Sequence, residues 1–238
     1  MISRSDRVRA NRLKDRIVLS ELPKHVSIIM DGNRRFAWSK SSPVGLGHSE
    51  GKEKLKEVMD WVLDLGIPYF TVYALSTENI TEREDDELDV LYDLYVSGLH
   101  DISEDSRIHD RGVRVQVVGR LGMLPKRVRD AISHAEEVTS QYSDFTFTVC
   151  LAYGGREEII DAVKSVAVDH ASGNLDIDSI DSSEITNRMY ASELPDPDLV
   201  LRTSGEARIS NFLLWQIAYS ELHFSEVFWP SFSQSDLY

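Results

Sequence analysis

Cysteine is almost absent from this sequence, and its scarcity excludes two kinds of site. The 238 residues contain one cysteine, Cys150, so neither a disulfide framework nor a cysteine-based zinc site can form. Cys150 lies in the apolar run 145–151, and we expect a thiol buried in a strand because free cysteines are usually buried. A catalytic thiol is the alternative interpretation.

Positive charge is also scarce. The sequence has 26 lysine and arginine residues against 40 aspartate and glutamate residues, which gives a formal net charge of −14. Because nucleic-acid binding requires a basic surface, this balance argues against a nucleic-acid partner. An anionic substrate would need a local group of cations to offset the overall negative field.

The N-terminus lacks the long apolar run of a signal peptide or a membrane span. We therefore predict a cytoplasmic protein in which an N-terminal basic helical segment, residues 1–21, precedes a single domain, residues 22–238. A solvated amphipathic helix is the favoured interpretation of this segment, and contact with a membrane surface is the alternative. Its basic residues are Arg4, Arg7, Arg9, Arg12, Lys14 and Arg16.

Motifs of several common enzyme classes are missing as well. No G-x-x-x-x-G-K-[ST] sequence occurs, which argues against a P-loop nucleotide enzyme. No G-x-G-x-x-G follows the first predicted strand and no G-x-S-x-G occurs, so a dinucleotide oxidoreductase and a nucleophile-elbow hydrolase are disfavoured. The histidines show no paired metal-binding spacing.

What the sequence does contain is a regular alternation of apolar strands and amphipathic helices. Because strands separated by helices pair in parallel, we predict an α/β fold, a single domain with about six mostly parallel strands flanked by helices. The predicted strands cover residues 25–30, 69–74, 113–118, 145–151, 199–202 and 222–225. The predicted helices cover residues 47–65, 86–109, 125–141, 156–171, 182–190 and 211–219.

Ligands of open parallel sheets bind beyond the carboxyl ends of the strands, which directs attention to the residues that follow each strand. Asp31 follows the first strand, Gly32 permits a tight turn, and polar side chains continue at a helix start with Asn33, Arg34 and Arg35. Free backbone N–H groups and guanidinium groups there suit an anion, and a neighbouring carboxylate suits Mg²⁺ bridging to a diphosphate. The alternative is a turn with two solvated arginines.

Three further segments follow later strands. Ser76 and Asn79 could orient a diphosphate or relay a proton, and a helix N-cap is the alternative for this segment. The glycine pair in 153–156 is interpreted as a structural turn. In 202–210 the side chains of Arg202, Arg208 and Ser210 suit the oxygens of a second phosphate group.

Alternatives stay open for this last segment and for two nearby side chains. An ion-pair network among Arg202, Glu206 and Arg208 is the structural alternative to phosphate binding. Glu221, farther along, could be a further metal ligand. His48 follows Gly45 and Gly47 at a helix start, where it could donate to a phosphate or cap the helix.

Taken together, these segments resemble the cis-prenyltransferases, the undecaprenyl diphosphate synthase family. The matching segments run in family order and are HVSIIMDGNRRFA, GHSEG, YALSTEN, YGGREEI and DLVLRTSGEARISNFLLWQIAYSELHF. The resemblance implies a homodimer, a hydrophobic tunnel between sheet and helices, and a product that could bring the protein into peripheral contact with membranes. It also implies condensation of an allylic prenyl diphosphate, such as farnesyl or geranylgeranyl diphosphate, with isopentenyl diphosphate, using Mg²⁺.

The resemblance further implies roles for individual residues. Asp31 would anchor magnesium, and Glu221 would support the metal site. In one interpretation Glu221 does so at the site of the other subunit of the dimer. Ser76 and Asn79 would align the substrates, and Ala74 and Phe145 would line the tunnel. The allylic diphosphate would be held by Gly32, Asn33, Arg35 and His48, and isopentenyl diphosphate by Arg202, Arg208 and Ser210. Arg83 and Glu87 would belong to a mobile lid.

Departures from the family pattern modify these expectations. Arg34 stands where the family usually has glycine and Val44 where it commonly has arginine, so we expect Arg34 to supply the missing guanidinium. The sequence ends at Tyr238 without the family's Arg-x-Gly-type segment, so it is either truncated or relaxed in acceptor choice. A prenyltransferase with a changed acceptor, such as dimethylallyl diphosphate in a non-head-to-tail condensation, is therefore an alternative function.

Two further expectations concern product and class. Phe145 is bulkier than the leucine that the family often has at the tunnel floor, which predicts a short- or medium-chain product. Some relatives are non-catalytic partner subunits, and these lack the D-G-N chemistry. Because Asp31, Asn33 and Arg35 are all present here, the sequence favours an enzyme over such a subunit.

Overall fold

The computed structural model describes residues 4–17 and 22–238. Within these ranges six strands form one sheet in the order β3-β4-β2-β1-β5-β6, and every neighbouring pair is parallel. The predicted α/β fold is therefore confirmed. The strands are β1 His25–Ile29, β2 Tyr69–Tyr73, β3 Val113–Val118, β4 Phe145–Cys150, β5 Leu199–Arg202 and β6 Glu221–Phe224.

The position of each strand in the sheet follows from its residues. Every residue of β1 is buried, as expected for a central strand that is covered by helices on both faces. Strand β6 forms one edge of the sheet, and all four of its residues are exposed. The opposite edge is β3, where exposed Arg114 alternates with buried valines.

Helices cover both faces of this sheet. The described part of the chain contains the α-helices α1 Arg4–Ile17, α2 Asn33–Ser39, α3 Val44–Leu65, α4 Thr77–Glu82, α5 Asp85–Glu104, α6 Ser106–Asp110, α7 Lys126–Thr139, α8 Gly155–Ala171, α9 Ser182–Thr186 and α10 Gln234–Leu237. The predicted helix 86–109 is broken at Asp105, whose extended backbone separates α5 from α6 and whose side chain caps α6. The predicted helix 182–190 ends earlier, at Thr186.

The predicted helix at 211–219 is wrong. This segment consists of turns, with left-handed backbone at Ser210, Asn211 and Leu213. Its side chains find partners in different directions: the ring of Phe212 stacks on Tyr73 with centroids 4.7 Å apart, and Trp215 Nε1 donates to Thr186 at 3.0 Å. These tertiary contacts outweigh the helical preference of an apolar run.

The predicted N-terminal basic segment is helical over α1, and its residues 1–3 and 18–21 lie outside the described residues. Helix α1 packs on α10, and Ala10 is buried. The division of the chain between residues 21 and 22 remains a prediction. No helix in the described ranges combines the length and the apolar character needed to cross a membrane.

Two hydrophobic clusters occupy the faces of the sheet. The larger one packs α3, α5 and α7 against the strands, and the smaller one includes Ile29, Tyr73, Tyr153 and Phe212. Cys150 lies in the smaller cluster and is fully buried, as expected for a strand cysteine. Burial, together with the nearby charge of Glu158, raises the pKa of the Cys150 thiol well above its ordinary value, so this thiol is unreactive.

Candidate active site

A cavity of about 680 Å³ opens at the carboxyl ends of β1, β2 and β5 and extends between the sheet and helices α3 and α5. Its inner wall is apolar and matches the predicted hydrophobic tunnel; it includes Leu91, Leu99, Phe147, Val149 and Leu151. Polar side chains line its mouth. The predicted site residues that line the cavity are Asp31, Asn33, His48, Ala74, Ser76, Asn79, Arg83, Arg202, Arg208 and Ser210.

Asp31 is held at the mouth by both its backbone and its carboxylate. Its N–H donates to Thr203 Oγ1 at 2.9 Å, and the same hydroxyl donates to the Asp31 carbonyl at 2.6 Å. Its Oδ2 accepts from Arg202 at 2.7 Å and from Arg35 at 3.3 Å. Gly32 turns the chain with φ 105°, and an added Cβ would lie 2.9 Å from Ser204 Oγ. The turn therefore requires glycine.

Arg202 is the most buried cation of the mouth. Its Nη1 donates to Ser210 Oγ at 2.6 Å and also to the Arg208 carbonyl, while its buried Nε has no hydrogen-bond partner in the described part of the chain. A buried donor without an acceptor is costly, and a phosphate oxygen would satisfy it. Arg83 Nε is likewise buried without a partner among the described residues.

Glu206 joins two of the predicted arginines. It accepts from Arg35 Nη1 at 3.2 Å and from Arg208 Nη1. Part of the ion-pair alternative is thus present, but Arg202 pairs with Asp31 rather than with Glu206. Gly32 and Arg35 lie beside the cavity and do not line it.

A second cluster of charges surrounds Glu87 at the start of α5. Its carboxylate lies 2.8 Å from Arg83, 3.4 Å from His48 and 3.6 Å from Arg34. Burial lowers the pKa of His48, and the neighbouring Arg83 charge lowers it further, against the weaker opposing effect of Glu87. Arg34 also lies over the ring of Trp38, is half exposed and does not line the cavity.

Ser76 and Asn79 both lie at the start of helix α4 and both line the cavity. Ser76 is the N-cap of α4, and its Oγ accepts from the Asn79 N–H at 3.0 Å. The N-cap alternative is therefore correct for Ser76. Both side chains nevertheless line the cavity, and Asn79 Oδ1 accepts from Arg83 at 3.4 Å.

Within one chain, Glu221 does not meet Asp31. Glu221 begins the exposed edge strand β6 and lies opposite Leu199, whereas Phe224 lies opposite Arg202 at the cavity end of the strands. In the described ranges, no three His, Cys, Asp or Glu side chains are grouped so as to hold a metal. A role for Glu221 at this mouth therefore requires a second copy of the chain.

Phe145, which the sequence predicts at the tunnel floor, does not line this cavity. It begins β4 and lines a separate small void behind the cavity. Phe147, two residues later on the same face of the strand, lines both spaces. Its ring stacks on Phe70 with centroids 5.6 Å apart. Phe147 thus lies between the cavity and the void behind it.

Sequence reasoning missed two residues that support Asp31 and its neighbours. Trp229 is fully buried and lines the cavity; its N–H donates to the Asp31 carbonyl at 3.0 Å and its ring N–H to the Gly51 carbonyl at 2.9 Å. No local pattern marks it, because its partners are distant in the sequence. Thr203 directly follows Arg202. Its position just after a predicted strand could have marked it as a site residue.

Comparison with known proteins gives consistent results. A prenyltransferase family profile described as undecaprenyl diphosphate synthase matches residues 29–238. A Pyrococcus horikoshii protein is 49% identical over 224 residues, covering 94% of this chain and 84% of its own length. A Methanopyrus kandleri protein is 50% identical over 225 residues, covering 94% of this chain and 83% of its own. Both are named tritrans,polycis-undecaprenyl-diphosphate synthase (geranylgeranyl-diphosphate specific).

Among solved structures, lavandulyl diphosphate synthase from Lavandula x intermedia, in complex with dimethylallyl diphosphate, superposes with a TM-score of 0.85. It is 32% identical to this chain, and the match covers 90% of this chain and 92% of that protein. The fold described above thus agrees with the results of both kinds of comparison.

Proposed function

Since this chain belongs to the undecaprenyl diphosphate synthase family, we propose that it elongates geranylgeranyl diphosphate. The chain is a cis-prenyltransferase: it condenses an allylic prenyl diphosphate with isopentenyl diphosphate, releases pyrophosphate and forms a cis-polyprenyl diphosphate. The choice of geranylgeranyl diphosphate is supported by the names of the relatives that are about half identical to it. The same names favour a product in the medium-chain range.

The observation that carries the site proposal is one cavity with a cationic mouth and an apolar interior. A diphosphate fits the mouth because Arg83 and Arg202 each have a buried Nε that lacks an acceptor in the described part of the chain. A hydrocarbon fits the interior because each buried CH₂ contributes about 0.8 kcal/mol.

Magnesium suits the donor set at this mouth. Mg²⁺ is usually bound by one or two carboxylates together with substrate phosphate oxygens, and Asp31 offers a partly exposed carboxylate beside the arginines. Bound there, the ion would neutralise charge that develops on the departing pyrophosphate. Glu221 of a second copy would complete the carboxylate set, which is the basis for proposing a functional homodimer.

The chain's own residues would divide the two diphosphates between them. Asn33 and His48 hold the allylic diphosphate, with Gly32 and Arg35 beside them, while Arg202, Arg208 and Ser210 hold isopentenyl diphosphate. The guanidinium groups stabilise the charge that forms when the allylic C–O bond breaks. Ser76 and Asn79 align the isopentenyl double bond for attack and for loss of its proton.

Arg34 is proposed to act on the allylic side through Glu87. It lies 3.6 Å from this carboxylate, which also contacts His48. An incoming diphosphate that displaces Glu87 would contact Arg34 and His48 in its place. Arg34 would then substitute for the arginine that the family commonly has at the position of Val44. An Arg34→Gly variant with unchanged affinity for the allylic substrate would refute this substitution.

One observation favours a second candidate function, a changed acceptor. The solved lavandulyl diphosphate synthase, crystallised with dimethylallyl diphosphate, shares 32% identity with this chain over most of both. Dimethylallyl diphosphate is therefore included as an acceptor in the test. The geranylgeranyl-specific relatives are much more similar, so regular chain elongation is the first candidate.

The experiment uses the purified chain, labelled isopentenyl diphosphate and a panel of dimethylallyl, geranyl, farnesyl and geranylgeranyl diphosphates. We expect labelled cis-polyprenyl products, formed fastest from geranylgeranyl diphosphate, with turnover lost in EDTA and restored by Mg²⁺. Irregular products from dimethylallyl diphosphate alone would favour the second candidate. Absence of pyrophosphate release with every substrate would favour a non-catalytic partner subunit. The proposed location is the cytoplasm, with peripheral membrane contact through the hydrocarbon product.

A further inference from the structure

The loop that contains Arg208 and Ser210 has an unusual backbone. Ser210, Asn211 and Leu213 have φ angles of 47°, 64° and 44°, in the left-handed region that side chains other than glycine and asparagine rarely adopt. Such strain persists only where the surrounding structure imposes it, and it concentrates at functional sites. The loop carries Arg208 and Ser210 at the cavity mouth, so whatever holds it also holds these two groups.

Asn211 is the residue that fastens this loop. Its carbonyl accepts from the Gly155 N–H at 2.7 Å, and its Oδ1 accepts from the Arg156 N–H at 2.9 Å. These are the first two N–H groups of helix α8, whose N-cap, Gly154, has no side chain to cap them. Asn211 therefore caps α8 from a distant part of the sequence.

The amide nitrogen of Asn211 reaches two carboxylates. Its Nδ2 donates to Glu78 Oε1 at 2.9 Å and to Glu157 Oε2 at 3.0 Å. Burial alone would raise the pKa of Glu78, but hydrogen bonds from its own backbone, Asn211, Ser76 and Thr77 outweigh burial and lower it. Glu78 is thus a carboxylate at neutral pH, and every hydrogen-bonding group of the Asn211 side chain is used.

The close fit of these segments explains the glycine that precedes α8. A Cβ on Gly154 would lie 2.1 Å from Glu157 Oε2, 2.8 Å from Asn211 Nδ2 and 2.9 Å from Thr77 Oγ1. Only glycine lets α4, α8 and the loop approach one another this closely. Gly154 therefore allows the close contacts that these segments make around Asn211.

The segments joined at Asn211 carry the two halves of the candidate site. Glu78 lies in α4 between Ser76 and Asn79, which line the cavity on one side. On the other side, Ser210 is the neighbour of Asn211 and accepts from Arg202 at 2.6 Å. A shift of the Asn211 side chain would change the distance between these groups without removing any of them.

We propose that Asn211 is a positioning residue that aligns the isopentenyl side of the site, Arg202, Arg208 and Ser210, with Ser76 and Asn79. The inference rests on the proposed roles of those residues. A positioning role differs from a purely structural one because it should affect turnover and leave binding of the allylic diphosphate unchanged. The allylic diphosphate is held by other elements, α2 and α3, which Asn211 does not contact. Misalignment by about 1 Å can cost up to about 100-fold in rate.

The test uses Asn211→Gly, which keeps the left-handed backbone and the carbonyl bond to Gly155 but removes the side-chain bonds. Asn174→Gly, a substitution at an exposed turn, is the matched control. We expect Asn211→Gly to lower kcat by about tenfold or more and to raise the KM for isopentenyl diphosphate. The dissociation constant for the allylic diphosphate alone should stay at the wild-type value.

A rescue distinguishes alignment from general damage. Asn211→Asp places a carboxylate against Glu78 and Glu157 and should be at least as impaired as Asn211→Gly. Adding Glu78→Gln restores a donor-acceptor pair and should recover part of the lost turnover. Wild-type kinetics in Asn211→Gly, or an equal loss of allylic affinity, would overturn the positioning role. An inactive wild-type protein would instead refute the proposed function, and the alignment role with it.

Discussion

At the mouth of the cavity, several basic side chains share three carboxylates of the protein. Asp31 lies between Arg35 and Arg202, Glu206 between Arg35 and Arg208, and Glu87 among Arg34, Arg83 and His48. Without these carboxylates, several arginines would repel one another in a partly desolvated space. An incoming diphosphate presents oxygens to the same donors, so binding exchanges one set of acceptors for another.

The first prediction concerns Asp31. Asp31→Asn keeps the shape of the side chain but removes the charge that pairs with Arg202 and would hold Mg²⁺. We expect kcat to fall on the order of 100-fold or more, because groups that stabilise developing charge commonly contribute this much. Asp89→Asn, which removes an exposed carboxylate paired with Arg127, is the control and should leave steady-state kinetics unchanged. Equal activity of Asp31→Asn and wild type would contradict the assignment.

The second prediction concerns His48 and pH. Burial and Arg83 hold its pKa below the ordinary value of about 6.5, against the opposing effect of Glu87, so the ring is neutral at pH 7 in the free protein. A diphosphate beside the ring favours the imidazolium form and raises this pKa. Binding therefore takes up a proton, and allylic affinity should increase as the pH falls from neutrality toward the lowered pKa of the free His48 ring.

The measurement is the dissociation constant of the allylic diphosphate between neutral and mildly acidic pH, for wild type and His48→Gln. Both proteins experience the same titration of the diphosphate itself, so the difference between their pH profiles belongs to His48. The charged neighbours that face the ring, Arg34, Arg83 and Glu87, are unchanged in the variant. Parallel profiles would show that His48 does not contact the bound anion.

At the scale of elements, the register of β4 decides the depth of the cavity. Side chains of a strand alternate between faces, so Phe145, Phe147 and Val149 point the same way. Phe147 and Val149 line the cavity, while Phe145 lies one step too far toward the start of the strand. Pairing of Phe147 with Phe70 on β2 fixes this register.

The third prediction follows from this register. Phe147→Ala removes the ring that separates the cavity from the void behind it, so we expect longer polyprenyl products. Phe145→Ala is the matched control and should leave the product length unchanged, because its ring lies outside the cavity. Chain lengths are measured by sizing the extracted lipids after complete turnover. Unfolding in urea is followed in parallel, since loss of a buried phenylalanine costs about 3–5 kcal/mol. Identical products from both variants would remove Phe147 as the closing residue.

At the scale of the whole molecule, the sheet ends in an unprotected edge. Strand β6 exposes all of its residues, including Leu222 and Phe224, and the preceding Tyr219 is almost fully exposed. Exposed apolar edge strands attract a further chain, and natural proteins usually cover them. A second copy bound at this edge would also explain why Glu221, distant from Asp31 within one chain, belongs to the motif that matches the family.

The fourth prediction tests this edge. Leu222→Lys should convert the proposed dimer to a monomer and should lower Mg²⁺-dependent turnover, because Glu221 would no longer reach a neighbouring site. Met123→Lys is the control, since Met123 is a similarly exposed apolar residue just after β3, at the opposite edge of the sheet. Light scattering after size exclusion gives the oligomeric state. A wild-type protein that is monomeric while fully active would rule out the dimer proposal.

Much of the architecture could be predicted because it depends on short-range patterns. Buried apolar runs separated by amphipathic helices specify parallel strands, and parallel strands bring their carboxyl ends to one edge of the sheet. Asp31, Ser76 and Arg202 could therefore be placed together without knowing any distance. The helix break at Asp105 was not foreseen, because one capping side chain decided it.

The sequence by itself thus determined the fold class, the strand ends that meet, and the chemistry of the residues there. Only the tertiary structure decided which phenylalanine lines the cavity, which side chain joins α4 to the 208–214 loop, and where Glu221 lies. The physical reason is that periodicity and capping act over a few residues. Asn211, Phe147 and Trp229 are instead defined by partners far along the chain, and no local pattern records such contacts.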